Sequence, residues 1–172
     1  MTKLTNPENI ILSAMRLVES KDNSKIRLNA NGGNSILIVC DPHDELEYIV
    51  AIKKLMTEDK YEIIDLNYLL TEFVRQNESD LQELFELLQG SIHQIFKRPN
   101  GEEGNDLFGL IINAIMSCLK SHKIPVLINA GALYGTGIDN IHIMENELIM
   151  KANLPLVILY PATKDKDKLM FL

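Results

Sequence analysis

The stretch from Lys123 to Gly137 constrains this chain more than any other. Ile124, Val126, Leu127 and Ile128 form a short continuous apolar run that ends in Asn129, Ala130 and Gly131, then Tyr134 and two more glycines, Gly135 and Gly137. A run of this kind suits a strand covered on both faces, as in the middle of a parallel sheet. In open α/β sheets the ligand or partner site forms outside the carboxyl ends of the strands, which places Asn129 to Gly137 where function would sit.

Similar runs recur. Ile36 to Cys40 is apolar throughout and reads as a first, central strand, Tyr61 to Leu66 as a shorter second one, and Leu154 to Tyr160 as a fourth. Helical patterns fall between them. Asn6 can cap and Pro7 can open a helix over about residues 5–20, with Ile10, Ile11, Ala14, Leu17 and Val18 at helical spacing. The polar stretch Lys21 to Ser35, with Gly32 and Gly33, turns the chain toward the first strand. Further helices are expected from Leu46 to Thr57, Tyr68 to Arg75, Asp80 to Phe96 with Ser79 as cap, Asp106 to Ser121, and Ile138 to Ala152. Pro99 to Asn105 is a surface loop by composition, and Lys164 to Lys168 a charged turn before a fifth strand from Leu169. Strands alternating with helices predict parallel pairing through right-handed crossovers, hence an α/β three-layer sandwich around a mostly parallel sheet. No repeat or linker divides the 172 residues, which are expected to form one domain. The apolar ending Leu-Met-Phe-Leu calls for a partner, and predicts that the natural chain extends further or docks on a neighbour.

Composition narrows the function. A net charge of -7 argues against a protein that holds nucleic acid alone through its overall field. Cys40 and Cys118 read as small buried hydrophobes and not as a disulfide or metal pair, which favours a cytoplasmic setting. No basic segment followed by an apolar one marks a signal peptide, and no window approaches the ~18 apolar residues that span a membrane.

The turn after the first strand is the natural place for a phosphate, because helix N-terminal N–H groups and the helix dipole favour anions. A nucleotide-binding chain would put glycines and Gly-Lys-Ser/Thr here, whereas this one has Asp41, Asp44 and Glu45. Three carboxylates would repel a triphosphate. Gly32-Gly33 and Gly135-Thr136-Gly137 do not restore the motif. Asp41, His43, Asp44 and Glu45, with Asp65 and Asn129 from other strand ends, form a candidate site that could hold Mg²⁺ for hydrolysis. Acids after Asp-Pro are also what helix capping and dipole favour by themselves, and that structural reading ranks first. His93, His122 and His142 share no spacing with a nucleophile. Gly131, Tyr134, Gly135 and Gly137 form a candidate partner loop, since an aromatic on such a loop can anchor a protein interface.

Several of these motifs together resemble a family. Cys-Asp-Pro-His-Asp-Glu-Leu-Glu (Cys40 to Glu47), Ile-Asp-Leu-Asn-Tyr-Leu-Leu (Ile64 to Leu70), Asn-Ala-Gly-Ala-Leu-Tyr (Asn129 to Tyr134) and the strand and turn from Leu156 to Thr163 resemble the BrxB subunits of bacterial BREX phage-defence systems. The resemblance runs from Ile36 to Leu172. It implies a non-catalytic cytosolic subunit working beside an alkaline-phosphatase-like PglZ protein and other subunits. No cofactor is expected, and self-association is a separate expectation. The resemblance also implies a P-loop-like, AAA-type layout lacking its nucleotide site, with strand order 5-1-4-3-2. Two other readings stand beside it, a metal-dependent hydrolase or nuclease using Asp41, His43 and Asp44, with Asp65 as an optional further ligand, and a degenerate nucleotide binder with a pocket around Asn129 to Gly137.

Overall fold

A computed structural model describes residues 6–20, 24–29, 33–99, 105–165 and 168–170. The first helix, α1 (Pro7–Val18), starts as its sequence predicts: Asn6 Oδ1 accepts from the Glu8 N–H at 3.0 Å, and Pro7 occupies the first turn. The proposed Thr5 start lies outside the described residues. A short helix, α2 (Ser24–Asn29), stands within the stretch expected to be only a polar turn, and Gly32 again lies outside. Strand β1 (Ser35–Cys40) follows, then a 3-10 turn at Pro42–Asp44 and helix α3 (Glu45–Leu55). Next come β2 (Tyr61–Asp65) and α4 (Leu66–Gln76).

Residues 80–96 do not form one helix. They divide into the end of α5 (Glu78–Leu87) and α6 (His93–Phe96), because Gly90 and Ser91 are poor helix residues and the chain turns there through a Ser91 N–H to Leu88 carbonyl bond of 2.7 Å. Ser79 is not the cap; Asn77 occupies that position and instead donates from Nδ2 to the Phe73 carbonyl at 2.7 Å. Of the expected loop 99–105, residues 100–104 are outside the description. Helix α7 (Leu107–Lys120) is capped by Asp106, whose buried carboxylate accepts from the N–H groups of Gly109 and Arg98, both at 2.7 Å.

Strand β3 (Ile124–Ile128) is buried at every position, as a strand covered on both faces must be. After it, the single helix expected over 138–152 is two: α8 (Asn140–Met144) and α9 (Glu147–Met150). Asn146 separates them, with extended backbone and its Oδ1 accepting from the Leu148 N–H at 3.1 Å, so it starts a new helix where a continuous one would need it helical. Strand β4 (Leu156–Pro161) completes a four-stranded, wholly parallel sheet in the order β1-β4-β3-β2.

The fifth strand does not join this sheet. β5 (Thr163–Asp165) and β6 (Lys168–Met170) pair with each other, antiparallel, Thr163 opposite Met170 and Asp165 opposite Lys168. Closing a hairpin across so few residues costs far less loop entropy than carrying the segment to β1. The order 5-1-4-3-2 is therefore met for four strands, with the position beside β1 filled by no described strand. Phe171 and Leu172 lie outside the described residues.

Two cores lie on opposite faces of the sheet, and the strands serve both by strict alternation. Val126, Ile128, Val157 and Leu159 pack with α1 and α3 residues such as Ile11, Ile49 and Ile52. Leu127, Leu156 and Ile158 pack with Leu66, Phe73, Ile111, Ile115, Ile143 and Ile149 on the other side. Cys40 and Cys118 are buried, one in each core, and burial pushes both thiols up to about 12, as expected of cysteines that act as small hydrophobes. The start of β1 is braced from within: buried Asn34 donates from Nδ2 to the carbonyls of Ile149, Ala152 and Leu154 at 3.2, 2.9 and 2.9 Å. No helix among the described residues is long and apolar enough to cross a membrane.

Candidate functional site

The proposed strand-end cluster divides into two groups. After β1, Asp41 turns back on its own loop: its carboxylate accepts from the His43 N–H at 2.9 Å and faces His43 Nδ1 at 3.0 Å. The His43 N–H, with the imidazole beside it, holds the Asp41 carboxyl below its usual range. Both side chains are open to water, His43 at 90% and Asp41 at 49% exposure. Glu45 is the acid of this turn whose shift is set by burial. Its Oε1 has no hydrogen-bond partner, and desolvation raises its pKa. Asp44, at the N-cap position of α3, makes no side-chain cap bond. The carboxylates of Glu45, Asp44 and Asp41 add to burial in keeping the Cys40 thiol protonated, so the field of this turn is negative.

After β2 and β3, Asp65 caps α4, accepting from the N–H groups of Asn67 and Tyr68 at 3.0 and 3.3 Å. The same oxygen accepts from Asn129 Nδ2 at 2.8 Å. Asn129 reaches it from a left-handed backbone, φ 59°, that redirects the chain as β3 ends. Asp65 and Asn129 thus tie neighbouring strand ends together. They do not meet Asp41, because β4 and β3 lie between β1 and β2 and three strand spacings amount to about 14 Å. Among the described residues no three His, Cys, Asp or Glu side chains are grouped to hold a metal ion. Asp65, the optional further ligand of the hydrolase reading, therefore stands apart from Asp41, His43 and Asp44.

The loop from Asn129 forms a more developed feature. A 3-10 turn at Ala130–Leu133 leads to Tyr134, which stands 80% exposed. Gly135 (φ 80°) and Gly137 (φ 76°) then take left-handed conformations on either side of buried Thr136. The Thr136 hydroxyl donates to the Leu133 carbonyl at 2.6 Å and accepts from the Ile138 N–H at 3.2 Å, so the loop is fastened through its own centre. A Cβ on Gly137 would lie 2.8 Å from His93 Cβ, whereas one on Gly131 would meet nothing within 4 Å. Gly137 is required twice over, by φ and by space, and Gly131 by neither.

This loop forms one wall of a cavity of about 820 Å³ whose lining is mainly apolar. Leu37 of β1, Leu133, Ile138, Ile141 and Met144 supply the apolar surface, while Asn140, Tyr160, Asp139 and His93 supply polar groups. No Lys or Arg is among its described lining residues. Burial raises the Tyr160 hydroxyl pKa, and a hydrogen bond from the Asn140 side chain opposes the shift. The Asn140 Oδ1 is buried without a partner. Of the residues that the sequence singles out, Tyr134, Gly135 and Gly137 line this cavity; His93, Asn140, Ile141 and Leu37 also line it and the sequence did not point to them. His93 and Ile141 fell inside helices expected to be longer, and nothing in their local sequence announces a cavity.

The fold and site define an α/β protein with a four-stranded parallel sheet whose strand ends carry capping acids, with an apolar hollow beside the loop that follows β3. Comparison with protein-family models, with curated proteins and with solved structures gives no match.

Proposed function

We propose that this chain is a non-catalytic protein-interaction subunit of a BREX-type bacteriophage-defence complex, acting in the cytoplasm and contacting a PglZ-like partner through the Tyr134 loop. The observation that carries the reading is Tyr134 itself: a large aromatic, 80% exposed, on a loop fastened by the Thr136 hydroxyl and by the close packing of Gly137 on His93. Leaving such a side chain in water gains nothing for the monomer, and a loop already ordered loses little entropy on binding. The motif resemblance from Cys40 to Thr163 supports the choice of partner. The order β1-β4-β3-β2 is compatible with a P-loop-like, AAA-type layout, and the acidic turn at Asp41 to Glu45 accounts for a sheet of that kind without nucleotide hydrolysis.

Co-expression with a PglZ-like protein and other BREX subunits, followed by affinity purification of this chain, tests the reading. The PglZ-like protein is expected to co-purify, and Tyr134→Ala, at an exposed position that leaves the fold intact, to weaken the complex about thirtyfold, the cost of about 2 kcal/mol expected of an aromatic anchor. Failure to recover a defence subunit, or full recovery with Tyr134→Ala, would overturn it.

A further inference from the structure

We propose that the outer edge of β1 receives an extended segment of a partner protein, running antiparallel, apolar at the two residues opposite Leu37 and Val39 and cationic at the residue opposite Asp41. This surface is distinct from the Tyr134 loop and does not rest on the partner reading above.

The bonds between β1 and β4 fix which groups of that edge are open. The Leu156 N–H donates to the Asn34 carbonyl and the Ala162 N–H to the Cys40 carbonyl, both at 2.9 Å. A strand serves one neighbour through alternate residues, so Ile36 and Ile38 face β4 as well, and the N–H and C=O groups of Leu37 and Val39 point outward. Among the described residues no strand takes them. Both side chains are half-buried, and that of Leu37 continues into the apolar lining of the cavity.

The two edges of the sheet are built differently. β2 carries exposed Glu62 and ends in Asp65, charges of the kind that discourage pairing, whereas Ser35–Cys40 holds no charge, proline or glycine. Such an edge is a template for another strand. Antiparallel pairing is the more stable per residue, and it sets each outward residue directly opposite one of the segment. Charge then selects the occupant. Asp41, two residues beyond Val39, is extended and its side chain is 49% exposed, with Asp44 and Glu45 behind it and no Lys or Arg anywhere from Ser35 to Ile52. A cation on the segment opposite Asp41 answers that field. A second copy of this chain does not: paired two-fold through Leu37 and Val39, it sets Gly33, Ser35 or Leu37 opposite Asp41, according to register, and brings another net charge of -7.

The probe is acetyl-Arg-Thr-Val-Thr-Val-Thr-amide, whose valines fall opposite Val39 and Leu37 when its arginine is opposite Asp41. The reversed sequence, acetyl-Thr-Val-Thr-Val-Thr-Arg-amide, keeps the valines in place and moves the arginine opposite Ser35. Titrated into the full chain and followed by amide NMR shifts, the first is expected to saturate with a dissociation constant below about 1 mM and to move Leu37 and Val39 most. The second is expected to bind about threefold more weakly, the scale of one exposed ion pair. Asp41→Asn keeps an oxygen for the His43 N–H and is expected to erase that difference. Val39→Pro removes an outward N–H without taking a bond from β4, and is expected to abolish binding. N-methylation of both valines of the first peptide, tested on the unaltered chain, is expected to weaken it at least about tenfold, a result that does not depend on how the proline variant folds. Absence of saturable binding, shifts that leave β1 unmoved, equal affinity of the two peptides, unchanged binding in folded Val39→Pro or no effect of N-methylation would each overturn the proposal, as would sedimentation showing that two copies pair through β1. Recovery or loss of the PglZ-like protein alters none of these readings.

Discussion

Glu45 is the residue at which sequence and structure give different accounts of the same acid. Read along the chain it is a third carboxylate favoured by a helix start, yet in the fold it is the one whose oxygen is buried and unpaired, with its pKa raised by desolvation. Its folded-state pKa lies above the unfolded value, so the folded chain holds the proton more tightly. Ionisation therefore costs stability above that pKa, and the cost disappears as pH falls through it toward the ordinary carboxylate range. Glu45→Gln is expected to raise the melting temperature by a few degrees at pH 7, the scale of a change below about 1 kcal/mol, and to give no gain near pH 4. Thermal denaturation of both proteins across that range checks it, and a gain that grows toward low pH would contradict the assignment. Asp41, by contrast, was legible: an acid before proline at a helix start is expected to accept from the chain two residues on, and it does. Burial of a particular acid depends on what packs over it from other elements, which no local pattern contains.

The elements that sequence periodicity fixed are those with one dominant partner. β1, β3, β4 and α7 lie where continuous apolar runs put them, because each is buried by the sheet or by one core. The elements that failed are the two long helices, which divide at Gly90 and at Asn146. Their apolar residues keep helical spacing across the break, so periodicity alone misses a bend that turn chemistry imposes. That bend matters for the site, since it brings His93 against Gly137. The two left-handed glycines of the loop therefore differ. Gly135→Ala meets open space and pays only the backbone cost of about 1–2 kcal/mol. Gly137→Ala adds a clash with the Cβ of His93 that no side-chain rotation relieves, and is expected to cost about 2–4 kcal/mol and to disturb the loop. Chemical denaturation of the two variants should separate them, and equal losses would show that the packing on His93 is looser than the geometry indicates.

Across the whole molecule, the sheet is what both cores share, and stability should be distributed accordingly. β3 and β4 are buried on both faces and bonded to a strand on each side, whereas β1 and β2 each have one strand neighbour among the described residues. Helix α5 contributes a single buried residue, Leu81, and packs at the periphery. This division was foreseeable in outline, since apolar runs that suit two covered faces identify the middle of a sheet, but the edge of β1 that no described strand covers was not, because its five apolar residues read as a central strand. Local opening should therefore expose α5 amides far more often than those of the inner strands, whose release needs both cores to part. In native-state hydrogen exchange, Val126 to Ile128 and Val157 to Leu159 are expected to show protection at least about a hundredfold greater than residues 81–87. β1 should fall between the two, protected along its β4 side by the register from Ser35 to Cys40 but open on the other. Exchange in β1 as slow as in β3 would mean that its outer edge is covered in solution, and adding the PglZ-like protein proposed above to the same experiment would then test whether the Tyr134 loop or that edge becomes protected.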